Sequence, residues 1–143
     1  MFNLIAASLK RIATYKEIII WGHFADSTDP ACACMVKFPS SDNPLKTACL
    51  ENFVVNLQRQ GYKTMLLKQV TDVCAASKSV DFIECYVRMD EKVKGVLRFF
   101  KENGFKQVPI NYTRIHVDNH WKYRGTIRLL FDMLILEVNL PKS

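Results

Sequence analysis

The segment of residues 80–108 constrains the fold more than any other part of the chain. Val80–Met89 is apolar on both faces of an extended chain, which predicts a central strand. The next residues repeat apolar side chains at helical spacing (Val93, Val96, Leu97 and Phe100), so we predict a helix over 90–103. Gly104 supplies a left-handed stop, and Phe105 can fold back on the last turn in a Schellman arrangement. The pattern predicts a helix packed against a sheet.

Residues 1–38 predict one helix and one hairpin. Met1–Lys16 carries an apolar stripe at helical spacing, which predicts an N-terminal amphipathic helix. Glu17–Phe24 and Ala31–Phe38 have strand composition, and the turn residues between them indicate an antiparallel pair.

The middle of the chain carries helix signals. Asn43 is a plausible N-cap, and Pro44 fits the first helical position. Leu45–Gln60 repeats apolar residues at helical spacing, and Gly61 can supply its left-handed stop. We therefore predict a helix there, followed by a strand over Lys63–Val70.

The chain closes with a predicted hairpin of Gln107–Val117 and Thr126–Leu140, which completes the order αββαββαββ. This order predicts an α+β fold with a single mixed, mostly antiparallel sheet flanked by helices. The 143 residues fit a single domain over 1–143, and a hydrophobic fraction of 49% is ordinary for a globular protein.

Cysteine usage and hydropathy indicate a compartment. The five cysteines are an odd number spread through apolar segments, which favours reduced thiols in a cytoplasmic or nuclear protein. No apolar run approaches the roughly 20 residues that span a bilayer, so no membrane partner is expected. Residues 1–16 also have the basic, acid-free character of a mitochondrial presequence, which is the alternative.

Several segments resemble known families. A helix ending in Gly-Phe between two strands resembles the second half of the N-acetyltransferase (GNAT) fold. Within that fold the pattern over about residues 31–143 is similar to ornithine decarboxylase antizymes, which are non-catalytic. The resemblance rests on Met35–Ser41 before a helix, Phe82–Val87, Asp90–Lys92, Gly104-Phe105 and Phe131–Leu140. It implies a regulator that docks on a decarboxylase subunit.

The resemblance to acetyltransferases also implies a coenzyme A site, which we tested on the sequence. Those enzymes hold the pyrophosphate at a helix N-terminus behind a turn of the form Q/R-x-x-G-x-G/A. The entry to the predicted helix after Phe38 contains Pro39, Asp42 and Pro44 and no glycine. We therefore predict that the protein binds no cofactor, coenzyme A included.

Candidate catalytic and metal-binding residues are few. Glu84 could serve as a general base and Tyr112 as a general acid, although pairing of Glu84 with Arg88 or Arg114 is the favoured interpretation. The four zinc-type side chains are Cys32, Cys34, His116 and His120. The cysteine spacing is tighter than usual and alternation places both in the core, so we predict no metal.

Charge gives the last signal. A net charge of +6 implies attraction to acidic surfaces or nucleic acid. Lys94, Arg98 and Lys101 share one stripe of the predicted helix over 90–103. The remaining candidate binding residues are basic or aromatic: Lys106, Trp121, Lys122, Arg124 and Arg128. A solvated helix face is the competing interpretation.

We interpret the chain as a non-enzymatic, antizyme-like regulatory module that binds a protein partner with an acidic surface through this basic face. Two alternatives remain open, a divergent GNAT-type acyltransferase and a nucleic-acid-binding domain that uses its basic and aromatic surface.

Overall fold

A computed structural model of the chain describes residues 9–13, 17–22, 32–39, 46–55, 60–110 and 123–134. The chain divides into two compact units, Met1–Asp81 and Phe82–Ser143, which are described separately. The expectation of one domain over 1–143 stays a prediction.

The first unit combines four strands and one helix in its described part. These are β1 (Leu9–Ala13), β2 (Glu17–Gly22), β3 (Cys32–Lys37), β4 (Thr47–Val55) and α1 (Gln60–Ser77). The strands pair antiparallel in the order β1-β2-β3-β4. The predicted pairing of the strands at Glu17–Phe24 and Ala31–Phe38 is thus confirmed over the described residues.

Helix α1 packs on β3 and β4 and closes the core of this unit. Its buried side chains are Tyr62, Leu66, Leu67, Val70, Val73 and Cys74, which recur at helical spacing on one face. They meet the buried positions of the strands, among them Cys34, Val36 and Leu50. Burying an aliphatic side chain of this size contributes about 1.5–3 kcal/mol, so this contact stabilises the unit strongly.

Three predictions for the first unit are wrong. Residues 9–13 of the predicted N-terminal helix form a strand that pairs with β2. The predicted helix Leu45–Gln60 contains strand β4, and the predicted strand Lys63–Val70 lies inside α1. Pairing with a neighbouring strand overrides local propensity. Short apolar runs also fit both the helical period of about 3.6 residues and the strand period of about two.

The second unit contains β5 (Phe82–Arg88), α2 (Val93–Glu102), β6 (Lys106–Val108) and β7 (Thr126–Asp132). Its strands pair antiparallel in the order β5-β7-β6, and α2 packs on β5. The predicted strand and helix are confirmed, and the closing hairpin is confirmed where β6 pairs with β7. Residues 109–110 and 133–134, which were predicted as strand, are not strand. The α+β class predicted from the sequence is also confirmed.

The C-terminus of α2 has the predicted Schellman geometry. The Phe105 N–H donates to the Phe100 carbonyl at 3.0 Å, and the Gly104 N–H donates to the Lys101 carbonyl at 3.2 Å. Gly104 has a φ of 93°, a conformation that favours glycine. The rings of Phe100 and Phe105 then pack edge to face at 5.1 Å, which fixes the end of the helix against the core.

Within the described residues, no helix is long and apolar enough to cross a membrane. The five cysteines are free thiols.

Candidate functional site

The start of α1 has the properties of an anion-binding site. The first four N–H groups of a helix have no acceptor within the helix, and the helix dipole favours negative charge there. The first turn of α1 contains no acidic residue, and its second residue is the exposed Gly61. A phosphate group therefore meets no carboxylate within this first turn and no side chain at Gly61.

The sequence around this helix start matches part of the acetyltransferase turn. Gln58 and Gly61 fit the first two fixed positions of Q/R-x-x-G-x-G/A, and Lys63 stands where the last small residue is expected. Gln58 lies outside the described residues. Pro39 and Pro44 precede strand β4 and not the predicted helix, so they do not bear on a phosphate site at a helix start.

Strand β4 is irregular just before this helix. The β3–β4 register passes from Met35 opposite Glu51 to Ala33 opposite Val54, so β4 contains one extra residue. Asn52 lies at the irregularity with a φ of 53°, in the left-handed region that asparagine tolerates. These features define a β-bulge, which is common next to active sites because it redirects side chains.

Glu51 stands beside the bulge and is a candidate proton acceptor. Its carboxylate accepts from Lys37 Nζ at 3.3 Å and from the Cys49 thiol at an Sγ to Oε1 distance of 3.8 Å. The Glu51 side chain is 33% exposed, so it is neither fully desolvated nor fully solvated. A carboxylate in that position can exchange a proton with a bound molecule.

Sequence reasoning missed Glu51 because its segment was taken as a helix. The signal that could have found it is alternation. Ala48 and Leu50 are buried, while Thr47, Cys49 and Glu51, which alternate with them, are half-buried. That period of two is typical of a strand with one covered face.

In the second unit, Glu84 belongs to a polar cluster. Its Oε2 accepts from Arg128 Nε at 2.9 Å and lies 3.5 Å from the hydroxyl of Tyr86, which donates to it. The Tyr86 ring packs against that of Tyr123 at a tilt of 49°, with centroids 4.3 Å apart. The expected partners of Glu84 were Arg88 and Arg114. Arg128 takes that role, so this arginine supports the sheet.

The other predicted binding residues are scattered. Lys94, Arg98 and Lys101 lie on the exposed face of α2 as predicted, and Lys106 and Arg124 are also exposed. The remaining candidates, Tyr112, His116, His120, Trp121 and Lys122, lie outside the described residues.

Cys32 and Cys34 occupy the core positions that alternation predicted, whereas Cys49 is half-buried. Cys32 and Cys34 are each 2% exposed, and burial raises the pKa of Cys34 to about 12. Burial also raises the pKa of Cys74 and of Cys85 to about 12. Among the described residues, no group of three or more histidine, cysteine or acidic side chains could hold a metal ion.

Solved structures share this fold at low sequence identity. A spermidine N-acetyltransferase SpeG chimera from Vibrio cholerae and hSSAT is 14% identical with a TM-score of 0.62, covering 88% of this chain and 72% of its own. A Bacillus subtilis acetyltransferase in complex with CoA is 18% identical with a TM-score of 0.59, and the match covers 82% of this chain and 77% of that protein. An acetyltransferase of the GNAT family from Staphylococcus aureus is 12% identical with a TM-score of 0.60, and the match covers 82% of this chain and 68% of that protein. The chain thus has a GNAT-like fold.

No protein-family model matches the sequence, and no curated protein matches it.

These neighbours correct the functional interpretation. The non-catalytic, antizyme-like reading is wrong, because the structures that share this fold are acetyltransferases. They do not support the antizyme part of the resemblance. The alternative of a divergent GNAT-type acyltransferase is better supported.

Proposed function

We propose that the protein is a divergent acyltransferase that moves an acyl group from coenzyme A to an amine. The observation that carries the proposal is the start of α1, where an exposed glycine and an acid-free first turn follow strand β4. The likeness of the whole chain to acetyltransferase structures supports the same conclusion. One of those structures is in complex with CoA.

The helix start suits the pyrophosphate of the acyl donor. The backbone N–H groups of Gln60 and Gly61 lie in the first turn of α1 and point toward the N-terminal end of the helix. At Gly61 there is no side chain to shield them, so a phosphate oxygen can accept directly from the backbone. Coenzyme A, when bound, presents the acyl group as a thioester.

Glu51 suits the proton transfer. As the amine nitrogen bonds to the thioester carbonyl carbon, the carbon–sulfur bond breaks and the amine loses a proton. The Glu51 carboxylate takes that proton, and the departing thiolate gains one from solvent. Lys37 Nζ lies 3.3 Å from Glu51 Oε2 and helps to hold the carboxylate in position.

Coenzyme A binding tests the helix start. Isothermal titration calorimetry of the full chain should show binding of acetyl-CoA, and the melting temperature should rise with its concentration. Gly61→Asp places a carboxylate at the anion site and should weaken binding by about tenfold or more through charge repulsion at the helix N-terminus.

The chain offers a matched control. Gly95 is likewise an exposed glycine in the first turn of a helix, α2, and no atom lies within 4 Å of a Cβ added there. Gly95→Asp should therefore leave acetyl-CoA affinity unchanged. Absence of binding to the unmodified chain would overturn the proposal, and so would equal affinities of the two aspartate variants.

A further inference from the structure

The outward face of α2 contains a surface depression of about 510 Å³. It is lined by side chains one and two turns apart on this single helix: Lys94, Leu97, Arg98, Lys101 and Glu102. Long basic side chains thus surround one aliphatic residue. We call this set the α2 face.

The α2 face carries uncompensated positive charge. Arg98 and Glu102 pair at 3.3 Å, with side chains 81% and 66% exposed, so water competes strongly with this pair. Lys94 and Lys101 make no ion pair within the described part of the chain. Lys106, exposed just beyond the helix, adds a further positive charge.

Leu97 gives the α2 face an apolar centre. The sequence pattern assigned Leu97 to the inner stripe of the helix, yet Phe100 is the buried residue of α2 and Leu97 is half-buried beside the lysines. An aliphatic side chain flanked by two lysines and an arginine matches a ligand that carries both carboxylates and an aliphatic group.

Charge and chemistry select the occupant. A second copy of this chain would bring the same net charge of +6 and the same basic face, so self-association here is opposed by repulsion. Single-stranded nucleic acid binds by stacking bases on aromatic rings, whereas the α2 face offers leucine and the anionic Glu102. A helical acidic segment of a protein offers carboxylates and leucine together.

We propose that the α2 face is a docking surface for an acidic, leucine-bearing helical segment of another protein. The inference rests on α2 alone and does not depend on acyl transfer.

The test uses the full chain and a synthetic helix-forming peptide with leucine and glutamate on one face. A peptide of the same composition in scrambled order is its control. Fluorescence anisotropy should show tighter binding of the patterned peptide. The double variant Lys94→Glu, Lys101→Glu should weaken that binding by about tenfold or more, most strongly at low salt.

Two further variants separate specific docking from general charge attraction. Lys68→Glu with Lys78→Glu makes the same change in net charge on exposed lysines of the first unit, and should leave affinity within about twofold. Leu97→Ala changes no charge and should lower the affinity for the patterned peptide by about threefold or more, since it removes an apolar contact. Circular dichroism checks that each variant is folded.

Three results would overturn the proposal. One is equal binding of the patterned and scrambled peptides. Another is an equal loss of affinity in both double variants. The third is tighter binding of a single-stranded oligonucleotide than of the peptide, with that oligonucleotide binding abolished in the double variant Lys94→Glu, Lys101→Glu.

Discussion

Two strand carboxylates, one in each unit, differ in how firmly they are held. Glu51 on β4 pairs with Lys37 at 3.3 Å, and the two side chains are 33% and 50% exposed. Glu84 on β5 pairs with Arg128 at 2.9 Å, and the two are only 19% and 13% exposed. The shorter, drier pair is the stronger interaction, because water screens it less.

The basic partners extend this difference. Lys37 is a flexible ammonium, whereas the Arg128 guanidinium also donates through Nη1 to the Pro109 carbonyl at 3.2 Å. Arg128 therefore connects Glu84 to the backbone beyond β6. Glu84 is therefore fixed within its sheet by Arg128, whereas the Glu51 side chain is held less tightly.

The largest expected effect is on activity at Glu51. Glu51→Gln removes the proton acceptor at nearly constant volume and should lower kcat/KM for acyl transfer by about 10²–10⁴-fold. The thermal midpoint should change little, since the pair with Lys37 is solvated. Acetyl-CoA turnover with an amine acceptor, read by thiol release, measures the loss. A variant as active as the unmodified protein would show that Glu51 is not the base.

The next effect is on stability at Arg128. Arg128→Met leaves the Glu84 carboxylate in a poorly solvated site without its cation, and should lower the free energy of unfolding by about 2–3 kcal/mol. Urea unfolding followed by circular dichroism gives the value. If Arg128→Met and Lys37→Met proved equally costly, the contrast between the two pairs would be wrong.

The smallest effect is on stability at Lys37. Lys37→Met removes one member of an exposed pair and should cost no more than about 1 kcal/mol in the same urea experiment. It should also lower activity, since Glu51 loses the side chain that helps to hold its carboxylate in position. A double-mutant cycle with Glu51→Gln should show that the activity losses are not additive. Independent, additive losses would mean that Lys37 does not act through Glu51.

The second unit was readable from the sequence because its signals are local. Gly104 and Phe105 define a helix stop through bonds to Phe100 and Lys101, all within six residues. Within Val80–Met89 the apolar residues Ile83, Cys85 and Val87 recur at every second position and are all buried, which is a strand signal contained in the segment itself. Local chemistry of this kind survives folding unchanged.

The first unit was misread because its signals are tertiary. Asn43 and Pro44 can begin a helix, but the segment after them pairs with β3 instead, and Gly61 opens a helix where a stop was predicted. A strand's period is set by which face its neighbours cover, which a single sequence does not contain. The error moved the search for a phosphate site to Pro39–Pro44 and hid Glu51.

The bulge at Asn52 also changes the phase of strand β4. Leu50 lies opposite the buried Val36, and Val55 lies opposite the buried Cys32, so the two core-side positions are an odd number of residues apart. Deleting Asn52 would therefore keep every side chain of β4 on its present face, whereas deleting Leu50 would exchange the two faces for one end of the strand. The bulge is thus a place where this strand can gain or lose length in evolution without turning its core outward.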